Sequence, residues 1–283
     1  MTKKTLQKRS IREDDLLETE KIRSKIPEKI LSLISSIDRY DEIDSTNSAL
    51  LNLPIDQQHG KICLAEYQTA GRGRYGRDWI APFASGLCFS LGWKFQKEVK
   101  EIQLISLLPA VALIRVLHSL GLKKAGVKWP NDLLCQGEKL AGILIEIPAN
   151  NSTSQSIVIG IGINVYNRTG LSEQIQQPST SIDQQLDQVP SRTTLAAMLI
   201  TELLGLLQIV EKEGLAMIRD EWRRYDVLIN TPVKLVSGGN SISGTSRGIN
   251  DDGSLSVEID GELKQFFSGE ISLRADDDQA RQD

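Results

Sequence analysis

Gly71-Arg72-Gly73-Arg74-Tyr75-Gly76-Arg77 follows a predicted strand and formally matches G-x-G-x-x-G, the dinucleotide-binding fingerprint. That fingerprint needs a helix directly behind the loop, so that the helix N-terminus meets the pyrophosphate. Here Asp78-Trp79-Ile80-Ala81-Pro82 follows, and Pro82 with the aromatic disfavours a helix start, so a Rossmann fold is set aside. What remains is a glycine loop carrying Arg72, Arg74 and Arg77, each a rigid fork suited to carboxylate or phosphate oxygens. Three arginines among three glycines are costly to order without an anionic partner. The loop is therefore read as ligand-binding, against the competing reading of a solvated surface turn.

Working outward, Leu16, Leu17, Ile22 and Ile26 suit a short amphipathic helix ended by Pro27, and Ile30, Leu31, Leu33 and Ile34 suit a second. Residues 1–12 carry five Lys or Arg and little apolar surface, the composition of a mobile arm. Strands are predicted over 61–67 and 87–93, then a buried helix that begins at or is kinked by Pro109 and ends at Gly121. Val127, Leu133, Leu134 and 141–147 read as strands around a Gly137 turn, and 157–165 as a further strand. The polar stretches 150–155 and 166–190 read as loops. The spacing of apolar residues predicts a helix over 194–213 closed by Gly214, and a second reaching about Asn230. After Pro232 short strands alternate with Gly238-Gly239, Asp252-Gly253 and Asp260-Gly261, the texture of a small all-β module, and the last residues read as a solvated tail.

The chain has 283 residues, enough for one large domain, or one and a small second one. With 33 Lys and Arg against 37 Asp and Glu, the net charge of -4 provides no global field for a polyanion, so an anion site must be local. The longest mostly apolar stretch without a charge, 102–114, is shorter than a membrane span, and the amino end runs into Arg12-Glu13-Asp14-Asp15 where a signal peptide needs an apolar core. A cytoplasmic protein without a membrane partner is expected. Cys63, Cys88 and Cys135 are far apart and outside any C-x-x-C, so free thiols are expected rather than disulfides or zinc.

Two further segments carry chemistry. Lys128-Trp129-Pro130-Asn131-Asp132 is followed by Lys139, which the strand alternation places on one face with Ala141, Ile143 and Ile145. Asn131 and Asp132 offer oxygens suited to Mg²⁺, although turn chemistry alone accounts for Pro130-Asn131-Asp132 and a strand-end lysine often snorkels to solvent. In 157–165, alternation puts five β-branched residues on one face and Val158, Gly160, Gly162 and Asn164 on the other. Two glycines on one face suggest a ligand or backbone packed closely there, with close helix packing as the alternative, and Asn164 at the end of that groove suits a metal or phosphate. There is no G-x-x-x-x-G-K-[ST], which excludes a P-loop, and neither His59 nor His118 stands in a catalytic motif.

Taken together, Asp44-Ser45-Thr46-Asn47, Gln68-Thr69-Ala70-Gly71-Arg72-Gly73-Arg74, the Lys128 segment, Lys139-Leu140-Ala141-Gly142 and Gly160-Ile161-Gly162-Ile163-Asn164 resemble the biotin–protein ligases, with the motifs in that family's order. The similarity runs from about residue 38 to Gly269-Glu270-Ile271-Ser272-Leu273-Arg274. The resemblance implies an α/β (α+β) fold. In it, 1–37 form an arm and short helices, 38–230 a class II aminoacyl-tRNA synthetase-like catalytic domain, 231–275 a C-terminal SH3-like β-barrel and 276–283 a disordered tail. It implies that biotin and ATP, with Mg²⁺, give biotinyl-5′-adenylate, whose biotinyl group passes to a carrier lysine. Ser45, Thr46, Asn47, Gln68 and Gly142 would bind biotin, while Arg72, Gly73, Arg74 and Lys139 would close on its carboxylate and the adenylate phosphate. Arg77, Trp79, Lys128, Asn131 and Asn164 would bind the nucleotide, and Asp132 with Asn164 the metal. Arg72, Arg74 and Lys139 would neutralise developing charge, and Asp132 would accept the attacking lysine's proton. The expected partner is a biotin carboxyl carrier domain of acetyl-CoA carboxylase or another biotin-dependent carboxylase, with a homodimer left open. The short stretch before Tyr40 leaves no room for the winged helix-turn-helix of the family's repressor branch, so neither DNA nor repression is expected. A lipoate ligase on the same fold, a DNA-binding sensor and a catalytically dead binding module are the competing readings.

Overall fold

The computed structural model describes residues 16–96, 102–148, 156–167, 177–237, 240–268 and 272–275. The arm read over 1–12, the loop 150–155, part of the loop 166–190, the Gly238-Gly239 turn and the tail lie outside these residues. Seven strands form one sheet: β1 (Ser36–Tyr40), β2 (Lys61–Ala65), β3 (Gly86–Lys94), β4 (Ala125–Lys128), β5 (Asp132–Cys135), β6 (Glu138–Glu146) and β7 (Ser156–Asn164). Their order is β1-β2-β3-β7-β6-β5-β4, parallel only between β1 and β2.

Alternation along the central strands separates a core from a site. Leu87, Phe89, Leu91 and Trp93 of β3 and Ile157, Ile159, Ile161 and Ile163 of β7 join the main core. Each such side chain contributes roughly 1.5–3 kcal/mol by leaving water. They meet α4 (Ile102–Ile105), α5 (Leu108–Ser119), α7 (Arg192–Glu213) and α8 (Ala216–Arg224), the one-turn α6 (Ile182–Gln185) lying between. Pro109 stands in the first turn of α5, so that helix begins there and is not kinked. By length and composition α7 is long and apolar enough to cross a membrane, although it holds three carboxylates, Glu202, Glu211 and Glu213; its buried side chains belong to this core. The opposite face carries Cys88, Ser90, Val158, Gly160, Gly162 and Asn164, and α3 (Thr46–Leu51) packs there on β2, β3 and β7.

The first two helices, α1 (Thr19–Ser24) and α2 (Glu28–Leu31), bury Leu17, Ile22, Ile26, Ile30 and Ile34 in that same core. A buried carboxylate ties them in: Glu66 accepts from Leu17 N at 2.7 Å and from Arg39, and pairs with the fully buried Arg192 at the start of α7.

Three sequence expectations need correction. The helix expected to reach Asn230 ends at Arg224, because Val127 N donates to Tyr225 O (2.8 Å) and Val227 N to Val127 O (3.0 Å), drawing the chain along β4. Lys139 does not share a face with Ala141, Ile143 and Ile145. The β5–β6 register shifts between Leu133 and Leu134, leaving Leu140 unpaired, and this extra residue turns Lys139 onto the face of Gly142. Third, the C-terminal strands β8 (Pro232–Ser237), β9 (Asn240–Ile249), β10 (Leu255–Ile259), β11 (Glu262–Phe266) and β12 (Ser272–Ala275) form an antiparallel sheet in the order β11-β10-β9-β8-β12. No ladder among the described residues joins its edges, so the SH3-like module is an open sheet rather than a closed barrel. Trp129 Nε1 donates to Gly253 O (3.1 Å) and Arg223 to Ile249 O (2.8 Å), fastening this module to the β4–β5 turn and to α8.

Candidate active site

The site face holds a cleft of about 860 Å³, within the range of small-molecule sites. Ser45, Thr46, Asn47, Gln68, Arg72, Gly73, Arg74, Arg77, Trp79, Lys128, Asn131, Asp132, Lys139, Gly142 and Asn164 all line it. Five of its lining side chains are cationic against two carboxylates, Asp78 and Asp132, a local positive excess that the net charge of -4 does not provide globally.

Its floor is set by the bare strand. A Cβ on Gly160 would overlap the Asn47 amide, and one on Gly162 would overlap the Trp79 indole. The close approach read from the two glycines is made at Gly160 by Asn47 of α3, the helix packing given as the alternative, and at Gly162 by the Trp79 indole on a loop. Asn47 is buried and its amide is held at both ends: Ser90 Oγ donates to its Oδ1 (2.5 Å), and its Nδ2 donates to Glu146 Oε2 (2.8 Å). Ser45 caps α3, its hydroxyl accepting from Ser48 N, and Thr46 N and Oγ1 both donate to Gln68 Oε1 (2.8 and 3.1 Å). At the floor, burial pushes the Cys88 thiol up to about 12, so it stays protonated and inert.

The glycine loop folds back on itself. Arg72 and Asp78 form an isolated antiparallel bridge, Gly73 N donates to Arg77 O (2.6 Å) and Trp79 N to Gly71 O (2.9 Å). No helix follows, as Pro82 predicts. Each of three cations then meets an oxygen: Arg72 Nη2 reaches Glu146 Oε2 (2.8 Å), Arg74 Nη1 reaches Asn131 Oδ1 (3.2 Å), and Lys139 Nζ reaches Asp132 Oδ1 on the neighbouring strand (2.7 Å). Lys139 also lies 5.8 Å from the Trp79 ring centroid, within cation–π range. Its backbone is held by part of the 166–190 stretch, Lys139 N donating to Pro178 O and Thr180 N to Lys139 O (both 3.0 Å). Asn164 Nδ2 donates to Thr180 O (3.0 Å).

As a metal site this donor set is thin. Asp132 already pairs with Lys139, and among the described residues no three His, Cys, Asp or Glu side chains cluster. Such a set fits a Mg²⁺ carried chiefly by phosphate oxygens, not a resident ion. Glu146 and Ser90 were missed from sequence; the available signal was a lone polar group inside an apolar strand, at each end of the Asn47 network.

Residues 40–164 match the Biotin/lipoate A/B protein ligase family, and 228–274 match the Biotin protein ligase C terminal domain. The bifunctional ligase/repressor BirA of Escherichia coli is 43% identical over 236 residues, covering 82% of this chain and 72% of that protein. A biotin–[acetyl-CoA-carboxylase] ligase of Mycobacterium tuberculosis is 30% identical over 245 residues, covering 83% of this chain and 88% of that one. Among solved structures, a biotin protein ligase from Aquifex aeolicus in complex with biotin and ATP superposes with a TM-score of 0.75 at 25% identity, over 86% of this chain and all of that one.

Proposed function

The chain belongs to the biotin protein ligase family, and from that membership and the geometry of its cleft we propose that it activates biotin with ATP and transfers the biotinyl group to a lysine of a carrier protein. The observation that carries this reading is the convergence of Arg72, Arg74 and Lys139 over one cleft walled by Trp79. The catalytic work falls to residues 38–230, with 231–275 as the SH3-like module.

In the first step a biotin carboxylate oxygen attacks the α-phosphorus of ATP and pyrophosphate leaves. The carboxylate is ionised at neutral pH, so this step needs alignment and charge neutralisation rather than a base. Arg72, Arg74 and Lys139 neutralise the carboxylate and α-phosphate oxygens. Before substrate arrives, Glu146, Asn131 and Asp132 hold these three cations in place, so little reorganisation is left for the reaction itself. Ser45, Thr46, Asn47, Gln68 and Gly142 form the biotin end of the cleft, Arg77, Lys128, Asn131 and Asn164 the nucleotide end. Mg²⁺, when bound with ATP, supplies further neutralisation of the phosphates, and Asp132 and Asn164 are the residues that would hold it.

In the second step the carrier amine attacks the acyl carbon of the mixed anhydride, the acyl–oxygen bond breaks, AMP leaves and an amide forms. The amine must be neutral to attack, and Asp132 takes its proton. The carrier is a biotin carboxyl carrier domain, that of acetyl-CoA carboxylase in the first instance. Incubating the chain with biotin, MgATP and a purified carrier domain gives one biotinyl addition, lost when the acceptor lysine is changed to arginine. Absence of that addition, with adenylate being formed, would remove the carrier assignment.

A further inference from the structure

Tyr75, at the tip of the glycine loop, has a left-handed backbone (φ 57°), uncommon for a bulky residue. Its hydroxyl accepts from Arg74 Nη2 at 3.0 Å and donates to the Ser268 carbonyl at 2.6 Å, and the Arg74 guanidinium carbon stands 4.9 Å from the ring centroid. A phenol has one proton to give and lone pairs to receive, so both bonds form together and reinforce each other along the chain from guanidinium to carbonyl. Ser268 lies just past β11, so the accepting carbonyl belongs to the C-terminal module. The other arm of Arg74 rests on Asn131, in the turn between β4 and β5. The arginine is thus gripped from both parts of the molecule.

We propose that Tyr75 is a positioning residue for Arg74, and that its hydroxyl makes the C-terminal sheet one side of the latch that retains the adenylate. The proposal rests on the function given above for Arg74. It follows from the pairwise geometry rather than from the motif, since any residue fits the variable position between Arg74 and Gly76 in G-x-G-x-x-G.

Tyr75→Phe keeps the ring and removes both bonds, and the residue is 54% exposed, so the change leaves the core untouched. In the ligand-free full chain, trypsin should cut within Arg72–Arg77 several-fold faster in Tyr75→Phe than in the unaltered chain. Loss of a hydrogen bond to a charged group should also speed adenylate release about tenfold, read as labelling of bystander lysines. In an Arg74→Ala background Tyr75→Phe should add nothing to that release rate, an effect that a merely structural tyrosine would not show. Equal trypsin cleavage, or a tenfold effect that persists without Arg74, overturns the proposal. An unaltered chain that forms no adenylate while the cleavage contrast stands overturns the functional reading and leaves the tether in place.

Discussion

Gly162 sets the depth of the cleft, because only a hydrogen there lets the Trp79 indole approach β7 so closely, within reach of Lys139. Gly162→Ala should lift the indole and displace Lys139, lowering biotin-dependent pyrophosphate exchange by about 10². The fold should lose only about 1–3 kcal/mol, the usual cost of a forced methyl. Exchange rate and urea denaturation measured on the same variant separate these effects; full activity would show that Trp79 does not support the lysine. The two glycines were legible in the sequence as a bare face, but the groups that cover them come from residues 47 and 79, and no local pattern reveals a contact across such a separation. Lys139 was legible as a charged group at a strand start, and its face was not, since period-two counting assumes an unbroken ladder and the bulge at Leu140 reverses it.

Among elements, those announced by local chemistry were readable. Asp252-Gly253 and Asp260-Gly261 marked the turns flanking β10, and the apolar spacing with Gly214 marked α7. What escaped was set by distant pairing. The strand β1, whose residues are only half-buried, is defined by its parallel partner β2, and the end of α8 by its bridge to β4. The helix α3 is a single short turn pair whose cap, Ser45, was read as a binding residue; one side chain serves the helix N-terminus and faces the cleft.

At the scale of the molecule, the junction between the two sheets holds Asp226. Burial pushes its carboxyl up to about 6, against a hydrogen bond from Leu228 N (2.9 Å) that favours the ionised form. Because the folded state raises this pKa, the group favours folding when protonated. That contribution is complete below the unfolded value near 4 and is lost as pH rises through about 6. Asp226→Asn keeps an acceptor for Leu228 N and cannot ionise. It should stabilise the chain by roughly 2–3 kcal/mol at about pH 7.5 and by almost nothing at about pH 4. Urea titrations at the two values check this, and an equal gain at both would show that ionisation of Asp226 is not what strains the junction.

An adenylating cleft is tested most directly by ATP–pyrophosphate exchange with Mg²⁺, which isolates that half-reaction without any carrier. Label from pyrophosphate should enter ATP when biotin is present, and not with lipoate or without an acid. Exchange with lipoate alone, or none in a folded sample with biotin, would contradict the account.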